Sequence, residues 1–406
     1  MESPPLPAAS QASSHFTLDP IPASVLADKE ARRRDAAAVQ LGYCMTGCAV
    51  LDDDVLLLGG FERGSVVGVS AEEEEMGVQA SKETVLMLER KPLVDPRMQL
   101  GLQTLAHSLC DGRVAKGLVV TPKPRNVMLA RLKDAVKAEL KSQGGVNGDA
   151  AKTKLRECLD KVMLSCVFDL DGLWEVLADL NKPVEEEDEE IQDSQDDDDE
   201  ALSPGDNNNN KRQHMTQPGI IVVTHFSSLL TGVFTHRERS AAHSAMQLLG
   251  SHLRDLSRNL SSSPLIMLLN STSSSSSSGP PPTGQTKNNA PLDATLRSIF
   301  HTPPPPPPQP GQGSHSSSTR RVKPNYGVVF SQLLDLHLLC TRIPRTLKDA
   351  EAAVQRIGEE VRMVWVVEVL QDEIGVWEGT RGARKGREQL WTAVDVEQAR
   401  VKPAFG

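Results

Sequence analysis

Apolar and polar positions along the chain follow two periods, and the two take turns. Short continuous apolar runs bounded by turn residues read as strands buried on both faces. They are Ser65-Val66-Val67-Gly68-Val69-Ser70, Gly117 to Thr121, Val162 to Val167, Gly219 to Thr224 and Pro264 to Asn270. Between them, three- and four-residue spacing predicts helices. Met98 to Cys110 places Leu102, Leu105 and Leu109 at such steps with Leu100 beside them, and Asn126 to Lys141 is amphipathic with Asn126 as N-cap. Asp171 to Leu180 and Arg237 to Leu260 follow as helices. Further on, Gly327 to Cys340, Val361 to Gln371 and Leu390 to Val396 read as strands with short connections. Alternation of this kind predicts an α/β domain with a mainly parallel sheet, finished by antiparallel strands.

Three stretches break the pattern. Residues 1–24 are rich in Pro, Ser and Ala, and are expected to be disordered. An insert at 184–218 holds the acidic run Glu185 to Glu200 and then Asn207 to Asn210. A second insert, 271–323, holds Ser273 to Ser278, Pro280 to Pro282 and Pro303 to Pro308. Such compositions bury too little apolar area to offset chain entropy, so both inserts read as loops hung from one domain spanning 25–406. The Pro tracts read as spacers rather than as ligands of SH3-like domains. The segment 78–97 intervenes before the helix at Met98, either as an insert of this lineage or as an intron retained in the gene model.

Charge changes the picture in one place. The chain carries 44 Lys and Arg against 54 Asp and Glu, but Glu185 to Glu200 supplies twelve of the acids and no base. Setting that run aside leaves 44 basic to 42 acidic residues, so no whole-protein basic footprint for nucleic acid exists and only a local patch can serve. Six cysteines make no disulfide framework, and Cys44 and Cys48 lack the second Cys or His pair that a zinc site requires. Reduced, unligated thiols are expected. Met1-Glu2-Ser3-Pro4-Pro5 offers neither a basic n-region nor an apolar h-region. No apolar run approaches the ~20 residues that cross a bilayer, so a soluble intracellular chain without membrane contact is expected.

The most informative stretch is Thr46-Gly47-Cys48-Ala49-Val50-Leu51-Asp52, followed by Leu56-Leu57-Leu58-Gly59-Gly60-Phe61-Glu62-Arg63-Gly64-Ser65. Gly59, Gly60 and Gly64 permit a tight reversal before the strand that opens at Ser65. The string resembles the opening of the ATPase core in RecA-type recombinases and their eukaryotic, fungal-like paralogues. There, TG-x-x-x-LD leads into GG-x-x-x-G-S and then into the strand before the phosphate loop. Val162 to Leu180 and Gly219 to Asn270 resemble later strand–helix and strand–helix–strand segments of that core, in the same order. The resemblance implies a RecA-like P-loop fold, a nuclear protein, and recombinase-family partners in recombination and DNA repair.

At the family's functional positions this chain departs from the pattern. A phosphate loop needs G-x-x-x-x-G-K-[ST], whose amides cradle phosphate, whose Lys neutralises it and whose hydroxyl holds magnesium. The corresponding residues are Ala71, Glu72, Glu73, Glu74, Glu75, Met76, Gly77 and Val78. Four carboxylates stand where a polyanion would lie, and like charges ~4 Å apart repel by several kcal/mol at intermediate dielectric. After Gly117 to Thr121 the water-activating carboxylate is replaced by Pro122-Lys123-Pro124. The metal-linked Asp is replaced by Thr224 and His225, and the Asn-Gln sensor pair is reduced to Asn270-Ser271. Together these losses remove the contributors to phosphoryl transfer, and a pseudo-ATPase without nucleotide, metal or other cofactor is expected.

His225, His236 and His243 read as capping or core histidines rather than as a metal cluster, and Leu265 to Leu269 as core strand. Basic residues that could meet DNA phosphates lie on the helix after Lys123, at Arg320, Arg321 and Lys323, and in the tail at Arg381, Arg384, Lys385 and Arg387. No interleaved aromatics for base stacking accompany them. The leading expectation is a non-catalytic recombinase paralogue that binds recombinase-family proteins. Two alternatives stay open here: an ATPase with an atypical loop, and a scaffold unrelated to DNA repair.

Overall fold

The computed structural model describes residues 21–72, 95–144, 148–181, 217–273, 296–300, 322–355, 361–377 and 383–405. The apolar runs become the centre of one sheet: β1 (Val66–Glu72), β2 (Gly117–Thr121), β3 (Val162–Cys166), β4 (Ile220–Val223) and β5 (Leu265–Ser273). Later strands are β6 (Lys323–Pro324), β7 (Leu336–Pro344), β8 (Met363–Asp372), β11 (Trp391–Glu397) and β12 (Arg400–Pro403), while β9 (Val376–Trp377) and β10 (Arg384–Lys385) make a separate hairpin. The strand order is β3-β2-β4-β5-β1-β7-β8-β11-β12, with β6 added to the end of β5. Pairing is parallel from β3 through β7 and antiparallel from β7 through β12. The expected α/β architecture, parallel in the middle and closed by antiparallel strands, is what the chain adopts.

Helices cover both faces of the sheet. One layer holds α2 (Ala49–Asp54), α3 (Pro96–Cys110), α4 (Arg125–Ser142) and α5 (Asp149–Asp160); the other holds α6 (Leu170–Asp179), α7 (Phe226–His236), α8 (Arg239–Asn259) and α9 (Gly327–Ser331). Every residue of β2 and β4 is buried, which is why their sequences are continuously apolar rather than alternating. The Asp95 carboxylate caps α3 by accepting from the amides of Arg97 and Met98, and Pro96 takes the first helical position. All of α3 except His107 is buried, so it forms the middle of its layer. On β1, a Cβ at Gly68 would stand 2.3 Å from Leu334 and 2.9 Å from Phe330, so only glycine lets that face close. Two further helices stand at the margin: α1 (Ala23–Leu41), tied by Arg34 to Glu62 at 2.7 Å, and α10 (Leu347–Gln355) beside β7.

Several expectations are corrected. Asn126 does not cap α4: the helix starts at Arg125 behind Pro124, whose φ of −55° and ψ of 141° set the entering chain without a side-chain cap. Gly327 to Cys340 is not one strand, because α9 and a turn precede β7; Phe330 and Leu334 point into the core at helical spacing. The helix expected from Arg237 starts at Arg239, since the chain turns at Arg237 and Glu238 between α7, which ends at His236, and α8, which holds His243. The helix α1 begins at Ala23, inside the stretch expected to be disordered. The second insert is entered by β5 as far as Ser273, and Ser298 within it bonds Glu368, an anchor that its Ser and Pro content did not suggest. Likewise α3 starts at Pro96, inside the segment 78–97.

Candidate functional site

In open α/β sheets a ligand crevice forms at the carboxyl ends of strands whose following helices leave to opposite faces. Here the chain leaves β1 for α3 on one face and leaves β4 for α7 on the other, with β5 between them. The carboxyl ends of β1, β5 and β4 therefore define the place to look. Register sets Ser70 beside Asn270, Ala71 beside Ser271 and Glu72 beside Thr272.

The side chains at that edge are hydroxyls and amides. Ser271 Oγ donates to Ser227 Oγ on α7 at 2.7 Å and accepts from Asn325 Nδ2 at 2.6 Å. Asn270 Nδ2 donates to the Asn325 carbonyl at 3.0 Å, so Asn325 clasps both residues in the last part of β5 before its end at Ser273. Thr224 and Asn270 are fully buried, and Thr224 Oγ1, Asn270 Oδ1 and Thr272 Oγ1 make no hydrogen bond with a described residue. His225 has a φ of 51°, a left-handed conformation, and occupies the N-cap position of α7 without a side-chain cap bond. Deeper between β1 and β7, Ser70 Oγ and His337 Nε2 lie 2.9 Å apart. Burial pushes the His337 imidazole down to about 3, so it is neutral at pH 7. Of the phosphate-loop positions, Ala71 is buried in β1 and Glu72 is exposed at its end, while Glu73, Glu74, Glu75, Met76, Gly77 and Val78 lie outside the described residues.

The motif that opens the resemblance is a structural device. The Asp52 carboxylate accepts from the amides of Thr46 at 3.0 Å and Gly47 at 3.2 Å, and Thr46 Oγ1 accepts from Cys48 N at 3.1 Å. This ties α2 to its own lead-in, and burial raises the Asp52 carboxyl to about 6 against those hydrogen bonds. Arg400 of β12 donates to the Gly47 carbonyl at 2.9 Å, and Gln103 of α3 donates to the Thr46 carbonyl at 2.8 Å. The glycines that follow have φ of 72° at Gly59, 144° at Gly60 and 71° at Gly64, as the tight reversal requires. Phe61 then bridges Cys44, and Ser65 Oγ donates to the Glu62 carbonyl at 2.7 Å, setting the start of β1.

Other candidates separate. Arg387, read as a possible phosphate contact, is buried against Asp372 with Nε 2.9 Å from Oδ2 and cannot reach a ligand. Arg384 and Lys385 are exposed on β10, Lys323 lies on β6, and Arg320, Arg321 and Arg381 lie outside the described residues. Cys44 and Cys48 are buried free thiols. Among the described residues no three His, Cys, Asp or Glu side chains converge as metal ligands would, and no helix is long and apolar enough to cross a membrane. Sequence patterning missed Asn325 and His337: one sits at the end of a Ser- and Pro-rich tract, the other within an apolar strand, and only the fold brings them to Ser271 and Ser70. Compared with known proteins, the chain matches no family model and no curated sequence.

Proposed function

We propose that this chain is a non-catalytic paralogue of the RecA-type recombinases, a nuclear protein that works by binding recombinase-family partners in recombination and DNA repair. The observation that carries this reading is the chemistry of the crevice. The described residues that end β1, β4 and β5 include Glu72, Thr224, His225, Asn270, Ser271 and Thr272, and the cation beside them is Lys323, which enters on β6 opposite Ser273 and not from a loop after β1. Phosphoryl transfer depends on cations that neutralise phosphate and on a carboxylate that holds the metal. Here Asn270 Nδ2 and Ser271 bond to Asn325 and Ser227, and the polar atoms left over, Thr224 Oγ1, Asn270 Oδ1 and Thr272 Oγ1, are uncharged and neither neutralise phosphate nor hold a metal as a carboxylate does.

Support for the family comes from the opening motif, whose Thr46, Asp52, Gly59, Gly60 and Gly64 each have a defined conformational task before β1. Support for a binding role comes from the sheet's border. Among the described residues β3 pairs only with β2, and an edge strand with an unpaired row of backbone groups is a template for strand addition by another chain. Phe168, 83% exposed just beyond β3, supplies an apolar anchor there. Affinity purification of the full chain from DNA-damaged cells, read by mass spectrometry, tests the reading. Recovery of a RecA-type recombinase is expected; its absence, with other partners recovered, refutes the proposal in favour of a scaffold outside DNA repair.

A further inference from the structure

Two cysteines with no part in the crevice stand sulfur to sulfur within one helical layer. Cys110 is the last residue of α3, and Cys158 lies in the last turn of α5. Their Sγ atoms are 3.8 Å apart, at thiol hydrogen-bond distance. Both residues are buried in the apolar core, at 8% and 2% exposure, yet the chain meets solvent one residue further on, at Asp111. Among the described residues no third His, Cys, Asp or Glu joins them as a metal ligand would, so two-sulfur chemistry is what the pair offers.

The surroundings divide the roles. A hydrogen bond from Cys110 holds the Cys158 thiol below its ordinary value against burial, and the charges of Lys161 and Lys154 add to the effect. The same contact, with burial, pushes Cys110 up. Cys158 is thus the nucleophile and Cys110 the resolving thiol. Hydrogen peroxide supplies the oxidising power. The Cys158 thiolate attacks one peroxide oxygen and the O–O bond breaks. Hydroxide leaves, takes up the proton that Cys158 gave up, and a sulfenic acid remains. The Cys110 sulfur then attacks the sulfenic sulfur, the S–O bond breaks, and hydroxide departs as water with the Cys110 proton. In sum, a pair of thiols and one peroxide give one disulfide and two waters. The sulfurs must close by about 1.8 Å to reach the ~2.05 Å of the bond. Both lie at helix carboxyl ends, where the dipole disfavours a thiolate, so the pair answers sustained peroxide and not a brief pulse. The bond closes a loop of about 50 residues that holds β2, α4 and most of α5, and a loop of that length restricts the unfolded chain strongly.

We propose that Cys110 and Cys158 are a peroxide-responsive pair whose disulfide fastens α5 to the end of α3. In a reducing compartment such a bond is transient and registers oxidation; it is not needed for folding. The inference stands on the geometry of the two sulfurs, so it holds or fails apart from recombinase binding. The test uses the full chain with Cys166→Ser, which removes the exposed thiol. The folded chain is treated with hydrogen peroxide, blocked with N-ethylmaleimide and digested with trypsin. Mass spectrometry should find Met98–Arg113 joined to Glu157–Lys161, and dithiothreitol should separate them. Before digestion, the oxidised chain should melt about 3 °C or more above the same sample after dithiothreitol, a reference that carries any methionine oxidation equally. Cys110→Ala in this background should lose both the cross-link and the shift, leaving Cys158 as sulfenic or sulfinic acid. Three outcomes overturn the proposal: no joined peptide from the folded chain, a joined peptide formed only in urea, or an oxidised chain that melts no higher than its reduced form.

Discussion

Replacing Arg387 by Met would leave a carboxylate stranded in the closing part of the sheet. The Asp372 and Arg387 side chains are 0% and 1% exposed, and the guanidinium grips both carboxylate oxygens at 2.9 Å. Arg387 Nη1 also reaches the Leu56 carbonyl at 3.3 Å, which ties β8 to the segment after α2. In the variant, Asp372 keeps only the amides of Gly375 and Arg387. Breaking a buried pair from one side costs about 3–5 kcal/mol, against a total stability of about 5–15 kcal/mol. The cost should vary with pH. Burial pushes the Asp372 carboxyl up, but the hydrogen bond and charge of Arg387 outweigh it and hold the group below its usual value. That stabilisation is complete above the unfolded value of about 3.9 and is lost as pH falls through the folded value. Without the Arg387 guanidinium burial is opposed only by the two backbone amides, so the Asp372 carboxyl rises and the variant's deficit should shrink between pH 7 and about 4.5. Urea melts at both pH values measure it, and adding Asp372→Asn should recover part of the loss. A deficit under about 1 kcal/mol, or one that ignores pH, would refute the reasoning.

Two further perturbations probe other parts of the frame. The His107 pKa is raised by its hydrogen bond to Glu139, against burial, with the charges of Glu139 and Asp111 adding to the rise. Its stabilisation is therefore full below about 6.5 and lost as pH rises through the folded value, so the gap between the parent chain and His107→Gln in urea melts should narrow from pH 6 to pH 9. Gly60→Ala should cost about 1–3 kcal/mol, because φ is 144° and a Cβ would stand 2.7 Å from the Cys44 carbonyl oxygen. Gly59→Ala, with φ of 72° and open space around it, should cost less in the same thermal melts.

The central strands were legible because β1, β2, β4 and β5 are buried on both faces and therefore spelled as apolar runs. The helices α3 and α8 were legible for the matching reason, their leucines recurring at helical steps. By contrast α1 escaped notice: it is polar and alanine-rich, with only Ala37 buried, so no apolar stripe marks it. The helix α7 does carry a helical period, Phe226, Leu229, Leu230 and Val233 at three- and four-residue steps, although no helix was expected between β4 and Arg237. At the candidate site, Thr224, His225 and Asn270 could be named because the resemblance assigns roles to the ends of the strands that they close. Their neighbours Asn325, Ser227 and His337 could not, since strand order decides which distant segments meet. Arg387 looked like a surface cation because the sequence gives no sign that Asp372, fifteen residues earlier, turns back to meet it.

Nucleotide binding tests the central claim most directly. Titration calorimetry of the full chain with ATP and magnesium should give no heat above dilution at millimolar nucleotide, because the strand ends present Glu72, Thr224 and Asn270 in place of cation and metal ligand. Micromolar binding would contradict the pseudo-ATPase reading and make the chain a nucleotide-dependent ATPase with an atypical loop.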